Sequence, residues 1–244
     1  METQSGKCFL QATYYPNLAP SDQMRGLPPP RLELERDHQG SAIDLPPPSS
    51  IDSRVTLQQA IARRSSVRRY APHPLNLQEL SFLLWATQGV KRVIPGQATL
   101  RTVPSAGARH ALETYLLVNR VSGLDAGLFR FLASDHRILP IESDPQASDR
   151  FTEACFGQSQ VRESAVTFVW LSEVQRMTWR YGERGYRYLF LDAGHVCQNL
   201  YLAAEAVAAG VCAIAAFDDQ KINALLHCDG EKRFVIYLAT VGKK

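Results

Sequence analysis

Four arginines and two serines fall within seven residues at positions 63–69, in the run Arg63, Arg64, Ser65, Ser66, Val67, Arg68, Arg69. A phosphate group is held by such a set. Guanidinium forks make planar, charge-assisted contacts, and hydroxyls fill the remaining oxygens. Spacing alone leaves two readings open, a phosphate cradle and a solvated basic turn. A second segment holds Pro104, Ser105, Ala106 and Gly107. It is a compact turn able to bring backbone N–H groups close to a ligand, or simply a turn. A third, WRYGERGYRY at 179–188, alternates aromatic and arginine side chains around two glycines. It could stack on a flat ligand, stack on nucleic-acid bases, or form a solvated amphipathic loop. His195 has Asn199 four residues on, so no metal pair is completed. A single histidine on an apolar helix is expected as a hydrogen-bonded core residue.

Other chemistries are excluded by pattern. No GxGxxG or Walker A segment occurs, which argues against a Rossmann or P-loop nucleotide site, and GxSxG, HExxH and EF-hand loops are absent too. Asp218 and Asp219 are adjacent and cannot converge on one substrate atom; they are expected to cap a helix. The five cysteines form no CxxC, so neither a disulfide framework nor a metal site is expected, and a reducing cytoplasm is the expected compartment. The net charge of +3 is too mild for a nucleic-acid footprint. The longest apolar runs, such as VCAIAAF at 211–217, are far short of the roughly 20 residues that span a bilayer, and the first residues do not read as a signal peptide.

These residues need elements to place them. The 244 residues are 45% hydrophobic and 21% charged, ample for a buried core. Residues 1–54 are Pro-rich (PNLAP, LPPPR, LPPPSS) and lack sustained periodicity. Apolar anchors such as Tyr14, Tyr15, Leu32, Leu34 and Ile43 suggest an arm wrapped on the surface of a domain at 55–244. In that domain the periodicity predicts helices over 57–64, 77–87, 186–209 and 220–226. It predicts strands over 112–118, 166–171 and 234–241, a short strand or loop over 211–216, a hairpin over 127–139, and a loop over 88–108. Gly210 is expected to stop the long helix. Helices and strands mix without regular β-α-β repetition, so the fold class expected is α+β.

Taken together, RRSSVR, LLWATQG, RTVPSAGARHALETYLLV, YGERGYRYLFLDAGHVCQNLYLAAEA and FDD, with IDLPPPSS before them, resemble the FMN-dependent nitroreductase superfamily, and most closely its SagB-type dehydrogenases. The resemblance spans nearly the whole chain. It implies an α+β sandwich with a mixed or antiparallel central sheet flanked by helices. It also implies a homodimer whose protomers exchange elements, with FMN at the interface. Arg64, Ser65, Ser66 and Arg68 would hold the FMN phosphate and ribityl edge. Pro104, Ser105 and Ala106 would reach FMN from the opposite protomer. Gln158 would read the pyrimidine edge, and Ile214, Ala215 and Ala216 would line the ring and offer a backbone N–H to N5.

The implied reaction is ping-pong: one substrate delivers a hydride to flavin N5 and a second collects the electrons. The substrate would be a small molecule or a modified peptide, as in azoline-to-azole dehydrogenation. Reduction of nitroaromatics or quinones by NAD(P)H is the enzymatic alternative, and a flavin-binding partner protein without turnover is the other. Three positions depart from the family pattern. Ala215 stands in a stretch where glycine is usual. Arg180, before Tyr181, stands where azoline-oxidising members carry lysine, and arginine is not deprotonated in proteins. The chain ends at Gly242-Lys243-Lys244, so Lys243 or Lys244 would have to supply the additional basic contact to phosphate.

Overall fold

The computed structural model describes residues 4–36 and 41–244; the expected arm at 1–54 includes 1–3 and 37–40, which lie outside the described residues. Its framework is a seven-stranded sheet. In chain order the strands are β1 (Ile43–Asp44), β4 (Leu112–Val118), β5 (Gly127–Leu132), β6 (Arg137–Glu142), β7 (Val166–Glu173), β8 (Ala209–Ile214) and β9 (Arg233–Lys243), arranged β1-β6-β5-β4-β7-β9-β8. Every neighbouring pair in it runs antiparallel. β4 and β7 are central, and their β-branched, aromatic and leucine side chains are buried on both faces.

Alternation along β7 sorts the core into two layers. Val166, Phe168 and Trp170 face one layer, with Leu80, Leu83 and Leu84 of α3 (Leu77–Gln88) and Leu189, Val196 and Leu200 of α7 (Gly185–Ala206). Val169 and Leu171 face the other, with Phe151 and Ala154 of α4 (Ala147–Ala154), Val161 of α5 (Gln160–Glu163) and Ile222 of α8 (Asp219–Leu225). Helix starts follow capping chemistry. Thr56 and Gln59 form a capping box on α2 (Leu57–Arg63), Asn76 and Glu79 form one on α3, and Asp218 caps α8 by accepting from Lys221 N–H.

Several sequence expectations are corrected. The loop expected over 88–108 contains a small antiparallel hairpin, β2 (Val90–Ile94) and β3 (Ala98–Arg101). Its turn carries Gly96 at φ +66°, a backbone conformation that glycine adopts freely. The 179–188 segment is two helices meeting at Gly182, whose φ of +53° ends the first. It closes α6 (Val174–Tyr181), passes through a 3-10 turn and opens α7. The long helix ends at Ala206, not 209; Ala208 takes φ +51° and Ala209-Gly210 belong to β8. Gly210 serves close approach, since a Cβ there would lie 2.6 Å from the Val67 side chain.

The Pro-rich segment itself opens with a short helix, α1 (Ser5–Ala12), ahead of its first proline. Later residues of the segment lie on the domain through backbone hydrogen bonds to buried side chains. Trp179 Nε1 donates to Leu27 O (2.9 Å), Arg176 Nε to Arg31 O (2.8 Å) and Arg130 Nη1 to Glu35 O (2.8 Å), while Leu34 N–H donates to Glu113 Oε1 (3.0 Å).

Candidate active site

The basic segment leaves the end of α2 and runs beside β8. Val67 N–H donates to Val211 O at 2.8 Å, and Ser66 bridges Val211 in parallel register. This strand-like path holds Arg64, Ser65, Ser66 and Arg68 at the surface. Tyr201 of α7 gathers them. Its hydroxyl lies 3.0 Å from Ser66 Oγ and accepts Ala213 N–H at 2.9 Å, and the Arg64 guanidinium sits 5.4 Å above its ring. Tyr70 closes the segment, its hydroxyl 2.7 Å from Thr240 Oγ1 and its ring against Gly242. Burial pushes the Cys212 thiol up, against the pull of the nearby Arg68 charge. Among the described residues, no carboxylate pairs with Arg64 or Arg68 within 4.0 Å. Lys243 is differently placed: its ammonium pairs with Glu79 and donates to Val207 O at 2.9 Å. A phosphate role for Lys243 therefore requires that ion pair to open.

Gln158 meets the end of β8. Its amide nitrogen donates to Ala216 O (2.9 Å) and Cys155 O (3.0 Å), and its carbonyl accepts from Gln160 (2.9 Å). Ile214 is buried, while Ala215 and Ala216 are exposed. Ala215 borders a cavity of about 500 Å³ walled by Phe190, Phe217, Phe234 and Tyr237. An aromatic wall of this kind suits a flat ring.

The 104–107 turn lies with Arg180 and Tyr181. Gly107 takes φ +55°, and a Cβ there would meet Tyr181 Oη at 2.5 Å and Arg180 Nε at 2.8 Å, so only glycine lets the turn rest on this pair. Ser105 Oγ accepts His110 N–H (2.9 Å), and Ala106 N–H donates to Asp192 Oδ1 (3.3 Å). Asp192 is buried, its Oδ2 has no partner among the described residues, and burial raises its pKa. Burial, with Arg101 and Arg109 nearby, pushes His110 down to about 3, so this imidazole is neutral. His195, expected in the core, has a half-exposed side chain 4.0 Å from Asp192, because its position on α7 falls outside the buried stripe.

The sequence-predicted residues thus form two groups within one chain. Residues 64–68 run beside the first half of β8, at Gly210 and Val211, and residues 214–216 with Gln158 lie at its far end; Tyr201 links the two by touching both Ser66 and Ala213. Residues 104–107 with Arg180 and Tyr181 lie elsewhere, and among the described residues no hydrogen bond or stacking contact joins the groups. Tyr201, Asp192 and Arg109 went unmarked in the sequence reading. Asp192 carried a usable signal, a carboxylate on the buried stripe of a helix; Tyr201 read as one more core aromatic.

Comparison with known proteins agrees with this architecture. The sequence model of the Nitroreductase family matches residues 61–243. The chain is 33% identical over 190 residues to MJ1384 of Methanocaldococcus jannaschii, named as a nitroreductase, covering 78% of this chain and 92% of that protein. It is 30% identical over 142 residues to the trifolitoxin-processing protein TfxB of Rhizobium leguminosarum bv. trifolii, covering 55% of this chain but only 38% of TfxB. A nitroreductase-named crystal structure from Anabaena variabilis superposes with a TM-score of 0.65 at 30% identity, over 77% of this chain and 38% of that one. Among the described residues no helix is long and apolar enough to cross a membrane, and no cluster of His, Cys, Asp or Glu could hold a metal ion.

Proposed function

The chain belongs to the nitroreductase family of oxidoreductases, and from that premise we propose that it is an FMN-dependent enzyme acting as a homodimer on a small organic molecule or a modified peptide. One observation carries the reading. Arg64 and Arg68, without carboxylate partners among the described residues, flank a serine hydroxyl held by Tyr201, whose own hydroxyl accepts Ala213 N–H two residues ahead of the exposed Ala215. Two guanidiniums and two hydroxyls match a phosphate dianion in charge and in the number of donors. The aromatic cavity next to Ala215 matches a flat ring system. Bound there, FMN would supply reversible two-electron exchange between a donor and an acceptor.

The chain's own residues then have defined tasks. Ser65 and Ser66 donate hydroxyl protons to phosphate oxygens, while Arg64 and Arg68 neutralise the charge. The Gln158 amide fixes the Ala216 carbonyl and so the peptide plane that leads into Phe217, which anchors the chain directly after Ala215. Tyr181 is the residue of the second group that can give or take a proton; Arg180 cannot act as a base.

A second copy of the chain explains why the two groups lie apart, since it would carry the 104–107 turn and Tyr181 to the phosphate group of its neighbour. Leu57 and Ile61 of α2 and Phe190 and Leu191 of α7 are exposed, an apolar surface of the kind that dimer interfaces cover. TfxB by its name processes trifolitoxin, a role in keeping with a modified peptide as substrate. The Arg180 departure favours the other reading, reduction of nitroaromatics or quinones with NAD(P)H as electron donor. Heat-denatured protein should release FMN and not FAD. Anaerobic mixing with NADPH then separates the readings, because rapid bleaching supports the reductase. Protein that neither contains nor takes up flavin would contradict both.

A further inference from the structure

Arg180 borders two cavities. One, of about 330 Å³, is bordered by Gln97, Gly107, Arg109, Trp179 and Arg180. The other, of about 310 Å³, lies beneath the N-terminal arm, between Tyr15, Leu18, Pro20 and Met24 on one side and Arg180, Tyr181 and Arg184 on the other. Each is the size of a small-molecule pocket. Among the described residues no Asp or Glu borders either lobe, though many arginines elsewhere in this chain are ion-paired, among them Arg31, Arg137, Arg162, Arg176 and Arg233.

The guanidiniums here differ in what they have left to give. Arg109 is fixed by donating from Nε to Gly107 O (3.1 Å) and from Nη2 to Gln97 O (2.6 Å), and it stacks over Trp179 at 5.4 Å. Arg184 is held by Tyr188 Oη and Thr13 O, both at 2.8 Å, and stacks on Tyr15 at 4.3 Å. Arg180 makes no hydrogen bond among the described residues and is exposed between the lobes. Burial and the Arg180 charge both depress Arg109, as expected of two cations facing one space without an anion between them.

We propose that this two-lobed cleft binds a small organic acid, with a carboxylate between Arg180 and Arg109 and a flat apolar body against Tyr15, Leu18, Met24 and Tyr181 in the lobe that the arm closes. Arg180 is then the specificity residue of the site. A group that cannot move a proton is well suited to hold a carboxylate bidentately. The arm is a wall of the same site, since Leu18 and Met24 provide apolar contact and Tyr15 is fixed by Arg184. This deepens the reading given under Proposed function by naming the substrate class, and it rests on that reading for the chemistry that follows binding.

Calorimetric titration of the full-length protein, as purified, with para-nitrobenzoate and para-nitrobenzamide tests this without turnover. The acid should bind at least tenfold more tightly than the amide. Arg180→Gln should abolish that preference and Arg180→Lys should retain part of it. Met24→Glu, at an exposed arm position, should weaken the acid at least fivefold. Equal binding of acid and amide, or a preference that survives Arg180→Gln, overturns the proposal; Met24→Glu without effect overturns the arm's part in it. Colourless protein that still prefers the acid would remove the FMN reading and keep this site. Yellow protein indifferent to the carboxylate would do the reverse.

Discussion

The hydroxyl of Tyr201 joins Ser66 to Ala213, lying 3.0 Å from Ser66 Oγ while accepting Ala213 N–H at 2.9 Å. An amide N–H can only donate, so Tyr201 is free to give its own proton to Ser66, which leaves the Ser66 proton to donate outward. One helix residue thereby orients a hydroxyl of the basic segment and anchors β8 just ahead of Ala215. Tyr201→Phe keeps the ring under Arg64 but strips two polar groups of their partner, at about 1–3 kcal/mol. FMN affinity should fall about tenfold, measured by fluorescence titration of the apo-protein.

Arg64 and Arg68 should matter more than any single hydroxyl. A hydrogen bond to a charged group contributes about 1.5–3 kcal/mol. The double variant Arg64→Ala/Arg68→Ala should therefore be purified with little or no flavin while keeping its thermal unfolding midpoint, because both side chains are exposed. Flavin content equal to the parent's would show that phosphate is held elsewhere.

Gly107→Ala tests the contact between the turn and the Arg180–Tyr181 pair. Alanine at φ +55° is strained by about 1 kcal/mol, and its Cβ would displace Tyr181 Oη and Arg180 Nε. Modest thermal destabilisation with a much larger loss of kcat/KM is expected. Equal proportional losses would indicate that the glycine serves folding alone.

The buried pair Glu113–Arg176, 2.6 Å apart and almost fully enclosed, should govern acid stability. Burial alone would raise the Glu113 carboxyl; the charge and hydrogen bond of Arg176, aided by Arg101 and Arg130, outweigh it and hold the carboxyl below its usual value. A depressed carboxyl contributes stability above its unfolded pKa, about 4.3, and that contribution is lost as pH falls through the lower folded value. Arg176→Met leaves a buried carboxylate unpaired and should cost about 3–5 kcal/mol at neutral pH. It should also loosen the arm, because Arg176 Nε holds Arg31 O. Urea denaturation at neutral pH and at mildly acidic pH measures both effects, and the variant's deficit should shrink as the pH falls.

Strong periodicity made most of the framework legible. The strand 112–118 was placed to the residue, and both capping boxes fell at helix starts read from the stripe. The hairpin β2–β3 was missed because Lys91, Arg92, Gly96 and Gln97 give it a loop's composition; its strands pair with each other outside the main sheet. The basic segment was readable because charge and hydroxyl content are local properties. Tyr201, Asp192 and Arg109 act through contacts that only the folded chain creates: Tyr201 reaches Ser66 across 135 positions and Asp192 reaches Ala106 across 86. The two glycines of the 179–188 segment resemble loop breakers in sequence, yet Gly185 packs tightly against Met177 and so permits α6 and α7 to approach.

Native mass measurement with a simultaneous count of bound FMN tests the central claim most directly, because it reads assembly and cofactor together. With a chain mass of 27.2 kDa, the expected species is a dimer of twice that mass carrying one FMN per chain, which loses its flavin when dissociated. A monomer that stays free of flavin in the presence of excess FMN would contradict the account.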